Sequence, residues 1–151
     1  MRNGKKHVLV ADDEKHTRFT LSLIFRKAGF RVTTVADGLE ALKQTVETIR
    51  NSDPFDLLVL DIQMPGLTGI ELIDEIENLS GYFPIVLITG YWDREIANEL
   101  KKRCCIEYAE KPFEPGELFV YVGRVLERFI QEGARRTEEG TSAVSPNGTD
   151  A

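Results

Sequence analysis

Three short runs without a polar side chain, residues 8–11, 57–60 and 85–88, constrain the fold of this chain more than any other feature. Runs this short and this apolar read as strands covered on both faces, as in the middle of a parallel sheet; a strand with one wet face would alternate. Each run stops abruptly on polar residues: the first on Asp12, Asp13 and Glu14, the second on Asp61, the third on Thr89 and Gly90. In open α/β sheets ligands bind just beyond the carboxyl ends of the strands, so these side chains stand where chemistry is usually done. A lone Asp after a strand can equally cap the following turn. The rest of the chain decides between the two.

Leu21, Ile24, Phe25 and Ala28 follow the first run at helical spacing and stop at Gly29, a natural end for a helix. Residues 31–36 alternate polar and apolar, a strand with one wetter face. Asp37 with Glu40 forms a capping box that opens a helix through Leu39, Leu42, Val46 and Ile49, ending near Ser52 and Asp53 before Pro54. Thr68 with Glu71 opens another, with Leu72, Ile73, Ile76 and Leu79 on its apolar face and Gly81 at its end. Asp93 caps a helix to Arg103 through Ile96, Ala97 and Leu100; residues 106–110 make a strand carrying Glu107, Tyr108 and Glu110. Pro115 starts the last helix, with Leu118, Val122, Val125 and Phe129 on one face. From Gly133 the composition turns polar and cannot support a core. The expected organisation is one domain over 5–131 and a disordered polar tail or start of a linker over 132–151.

Strands alternating with helices imply a parallel sheet with right-handed crossovers. The three apolar strands belong at the centre and the two that carry charged or alternating residues at the edges. The order 2-1-3-4-5 satisfies this: a flavodoxin-like (βα)5 three-layer α/β sandwich whose switch point lies between the first and third strands. With 151 residues and a net charge of -6, the chain holds about one core and lacks the clustered Lys and Arg that phosphate backbones require, so no nucleic-acid contact is expected. The run at residues 8–11 is too short for a signal segment or a membrane span. Cys104 and Cys105 lack metal-binding companions and read as reduced packing thiols of a cytoplasmic protein.

The proposed sheet gathers Asp12, Asp13, Asp61, Thr89 and Lys111 at one edge. Carboxylates about 4 Å apart repel by about 4 kcal/mol at an effective dielectric near 20, so three of them need a cation or shared protons. Mg²⁺ suits the set, because it uses one or two carboxylates and keeps waters. A carboxylate can also act as a nucleophile toward phosphorus, and phosphoryl transfer then asks mainly for positioning and neutralised oxygens. Lys111, the Thr89 hydroxyl and the Gly90 N–H can supply these.

This set, in this order, resembles the receiver domains of two-component response regulators, the CheY-like superfamily. The match runs from about Lys5 to Gln131 and includes Met64, Pro65 and Gly66 after Asp61, and Pro112 and Phe113 after Lys111. The resemblance implies that Asp61 takes a phosphoryl group from a sensor histidine kinase or a phosphotransfer protein. It implies Mg²⁺ on Asp13, Asp61 and the Gln63 main-chain carbonyl, with Asp12 acting through water, and a cis Lys111–Pro112 bond. Thr89 and Tyr108 would form a switch, Tyr108 rotating inward when Thr89 moves toward the phosphoryl group. The changing face would be the fourth helix, fifth strand and fifth helix, meeting a downstream target, an attached output domain or a second copy, with Phe119, Val120 and Ile130 contributing. Gln63 and Tyr91 would flank the site and make autodephosphorylation slow. Such a protein is no conventional enzyme, although it catalyses its own phosphorylation and dephosphorylation. Three rivals stand beside it: a phosphatase of the haloacid dehalogenase type using Asp12 and Glu14, a flavin or nucleotide binder on the same fold, and a receiver-like module that is never phosphorylated.

Overall fold

The computed structural model describes residues 4–90, 92–103 and 105–144; Tyr91 and Cys104, both invoked above, lie outside them. Among the described residues five strands alternate with five helices: β1 (His7–Ala11), α1 (Lys15–Lys27), β2 (Arg31–Val35), α2 (Gly38–Arg50), β3 (Leu57–Asp61), α3 (Gly69–Ser80), β4 (Ile85–Thr89), α4 (Arg94–Lys101), β5 (Ile106–Glu110) and α5 (Pro115–Val144). All strand pairs are parallel and the order is β2-β1-β3-β4-β5, as expected. The register sets Val8 beside Leu57 and Leu58 beside Ile85, so the three apolar runs lie together at the centre.

The pleat sorts these runs onto two faces, because successive side chains of a strand point to opposite sides. Val8, Val10, Leu57, Val59, Val86 and Ile88 pack with Leu21 and Phe25 of α1 and with Leu118, Val122 and Val125 of α5. Leu9, Leu58, Leu60, Ile85 and Leu87 pack on the other side with Ala41 of α2, with Leu72, Ile73 and Ile76 of α3, and with Leu100 of α4. Helices therefore cover both faces in three layers.

Helix starts follow the caps read from the sequence. Asp37 accepts from the Glu40 N–H at 2.8 Å, Asp93 from the Ile96 N–H at 2.9 Å, and Thr68 and Glu71 form the full reciprocal box. Other expectations need correction. Leu39 and Leu79 are 60% and 62% exposed; the first lies in the opening turn of α2 and the second in the closing turn of α3. In α2 the buried positions go to Ala41 and to Thr45, whose hydroxyl donates to the Ala41 carbonyl. Phe119 turns inward, edge-on to Phe25 with ring centroids 5.1 Å apart, so of the proposed surface trio only Val120 and Ile130 are exposed. The fourth helix ends at Lys101; Arg103 beyond it ion-pairs with Asp74 and Glu77 of α3 and with Glu99.

In the structure α5 runs on through the polar segment after Gly133 as far as Val144. Absence of a core face does not stop a helix that is already nucleated, because each added residue then gains a backbone hydrogen bond. An Arg135–Glu132 ion pair bridges Gly133 on the helix surface.

Close approaches fix the loop after β3: a Cβ at Gly38 would lie 2.3 Å from the Leu67 carbonyl oxygen. A Cβ at Gly69 would lie 2.7 Å from the Asp61 carbonyl oxygen and 3.0 Å from the Ile62 Cα, so α3 seats its first residue directly against the strand end. At Gly123, inside α5, nothing lies within 4 Å. Gly69→Ala is expected to cost about 1–3 kcal/mol through overpacking, whereas Gly123→Ala should gain up to about 1 kcal/mol from helix propensity. Urea unfolding of both variants measures the contrast.

Candidate functional site

The switch point between β1 and β3 opens at the carboxyl edge of the sheet, and the acidic residues stand there. Asp12 follows the last residue of β1. Its N–H donates to the Val35 carbonyl at 3.2 Å, its carbonyl accepts from Arg18 Nη1 at 2.8 Å, and its Oδ1 accepts from the Glu14 N–H at 2.8 Å. Asp61 closes β3, and its Oδ1 accepts from the Gln63 N–H at 3.2 Å. Asp12 and Asp61 are buried and Asp13 is exposed; ligand oxygens of the three lie within 4.8 Å of one another.

Lys111 reaches this cluster from the far side of the sheet. Its N–H donates to the Thr89 carbonyl at 2.7 Å, and the Lys111–Pro112 peptide bond is cis. The Nζ lies 2.9 Å from Asp12 Oδ2, 3.4 Å from Asp61 Oδ2 and 3.7 Å from Glu14 Oε1. Its contact with Asp61 is a hydrogen bond. The closer approach, to Asp12 Oδ2, is an ion pair to a fully buried carboxylate oxygen.

The electrostatics follow from this packing. Burial, and then the neighbouring Asp12 charge, push Asp61 up to about 6 against the pull of Lys111. Burial acts to lower Lys111, but the Asp12 and Asp61 carboxylates outweigh it and hold the ammonium above its ordinary value. Glu14 is lowered, first by the Thr17 hydroxyl and then by the Lys111 charge. The cluster can hold a metal ion: its ligands are hard carboxylate oxygens, and Asp12 Oδ2 is an acceptor that a metal-bound water would satisfy.

Thr89 is fully buried at the end of β4, one strand from Asp61, and Gly90 beside it is exposed. The Gln63 side chain is exposed. Tyr108 points outward, 42% exposed, and stacks on Trp92 with ring centroids 3.9 Å apart and planes 17° from parallel. The edge thus brings together Asp12, Asp13, Asp61 and Lys111, with Thr89 and Gly90 on the adjoining strand end and Tyr108 outside. Three participants escaped sequence reading. Glu14 was considered only for a rival chemistry, although its place beside the acidic pair was a signal. Trp92, the only tryptophan of the chain, stands three residues after Thr89 and could have been paired with Tyr108. Nothing in the sequence pointed to Arg18.

The stack makes Trp92 an optical reporter. Tyr108→Ala should leave the fold intact, shift Trp92 emission to the red and raise its quenching by acrylamide, as one face of the indole becomes wet.

The family model for the response regulator receiver domain matches residues 8–123. The transcriptional regulatory protein FixJ of Bradyrhizobium diazoefficiens is 35% identical over 114 residues, which are 76% of this chain and 53% of FixJ. The chain therefore spans about half the length of that relative. The chemotaxis protein CheY4 of Vibrio cholerae is similar in structure with a TM-score of 0.71 at 31% identity, covering 81% of this chain and 99% of CheY4. The CheX-CheY-BeF3-Mg+2 complex from Borrelia burgdorferi gives a TM-score of 0.71 at 27% identity, covering 80% of this chain and 88% of the other.

Proposed function

The chain belongs to the response regulator receiver domain family of two-component signalling, and on that premise we propose that Asp61 is its phosphoacceptor. The phosphoryl group comes from the phosphohistidine of a sensor histidine kinase or phosphotransfer protein. The observation that carries this reading is the nucleophile's setting: a buried carboxylate at the mouth of an acidic cluster with Lys111 Nζ 3.4 Å away.

An Asp61 carboxylate oxygen gives its electron pair to phosphorus while the P–N bond to the donor imidazole breaks and its pair stays on the ring nitrogen. The product is an acyl phosphate. The Lys111 ammonium neutralises one phosphoryl oxygen, and the Thr89 hydroxyl with the Gly90 N–H takes another. Mg²⁺ is the cofactor this reading assigns, held by Asp13, Asp61 and the Gln63 carbonyl with Asp12 acting through water; when bound it supplies positive charge to the transferring group. The protein is then a partner in transfer that also catalyses loss of its own phosphoryl group, rather than a conventional enzyme.

The output is conformational. Thr89 moves toward the phosphoryl group, Tyr108 leaves Trp92 and turns inward, and the α4–β5–α5 face changes for a downstream protein target, an attached output domain or a second copy. Exposed Val120 belongs to α5 and adds apolar area to that helix. No described helix is long and apolar enough to cross a membrane, and a cytoplasmic setting fits the reading.

Incubation with acetyl phosphate and Mg²⁺ followed by intact mass measurement tests it. Wild type should gain one phosphoryl adduct, Asp61→Asn none, and chelation of the metal should suppress the reaction. The same incubation should change Trp92 emission in wild type alone. An adduct that persists in Asp61→Asn defeats the assignment.

A further inference from the structure

We infer that Glu14 is a positioning residue that draws the Lys111 ammonium toward the solvent side of the site and so slows its turn toward an incoming phosphoryl oxygen. The inference rests on the assignment of Asp61 above and deepens it. Glu14 stands at the N-cap of α1, where its side chain makes no capping bond. It is turned instead toward the site: Oε1 accepts the Thr17 hydroxyl at 2.6 Å, and that same oxygen is 3.7 Å from Lys111 Nζ. Thr17 thus fixes a carboxylate that draws on the ammonium from the solvent side. Lys111 is shared among Asp12, Asp61 and Glu14.

The first two carboxylates have work of their own in the proposed chemistry, as metal ligand, water holder or nucleophile. Glu14 does not: its carboxylate is no part of the metal-capable cluster among the described residues. Its effect on the reaction therefore passes through Lys111. An ammonium drawn toward Glu14 is less free to turn to a phosphoryl oxygen, so Glu14 slows transfer and its loss speeds it. Its side chain is 62% exposed, so neutralising it leaves the core untouched.

The test uses acetyl phosphate at saturating Mg²⁺, in which the Asp61 oxygen bonds to phosphorus as the bond to acetate breaks and acetate leaves with the pair. Adduct formation is timed by intact mass for wild type, Glu14→Gln and Thr17→Val. Glu14→Gln should react about two- to fivefold faster, the span of a partly exposed ion pair. Thr17→Val should move the same way by less. The gain should appear in the rate constant at saturating acetyl phosphate. A gain confined to subsaturating acetyl phosphate would mean that Glu14 merely repels the anionic donor, and would overturn the inference. So would a rate for Glu14→Gln equal to or below that of wild type. Wild type that takes no adduct at all would remove the Asp61 assignment as well, so the two failures are told apart.

Discussion

Like-charge repulsion at the carboxyl edge of the sheet is the constraint on which the site depends. Asp12 and Asp61 are both buried, with Asp13 close by, and such a group is stable only where something answers its charge. In the structure the answer comes from Lys111, which lies against both buried carboxylates, and from the Glu14 and Gln63 backbone N–H groups. It is incomplete: one ammonium faces three clustered carboxylates, and Asp61 is raised well above an ordinary aspartate. That deficit of positive charge is what makes the edge receptive to a cation.

The placement of these groups follows from the sheet. Three apolar strands can lie side by side only if both faces are covered, and helices on both faces require parallel crossovers that bring every strand out at the same edge. Asp12, Asp61, Thr89 and Lys111 are each the end of a strand or its immediate continuation. Bringing them together needs no special loop. The exception is Gly69, where α3 comes so near the Asp61 backbone that no side chain fits.

This explains which features were legible in the sequence. The strand order could be read because the polarity of each run reports how many of its faces are covered, and the site because its residues mark the run ends. Helix caps were readable as local hydrogen-bond chemistry. What escaped depends on direction rather than pattern. Leu39 and Leu79 keep helical spacing yet lie exposed in end turns of their helices, while Phe119 lies outside the expected core stripe and still turns toward Phe25. The Glu14–Lys111 and Trp92–Tyr108 contacts join separate elements, and their only mark in the sequence is the place of Glu14 beside the acidic pair and of Trp92 just after Thr89. The continuation of α5 to Val144 was missed because polarity signals the absence of a core, not the absence of a helix.

That continuation has a mechanical consequence. At about 1.5 Å per residue, helix over residues 133–144 adds a rod of about 18 Å to α5. The proximal turns are gripped by the sheet through Leu118, Val122 and Val125. A tilt of only about 10° at this grip would sweep the distal tip, about 28 Å beyond Val125, through about 5 Å. Displacements too small to notice inside the domain are thereby magnified at the far end of its last element.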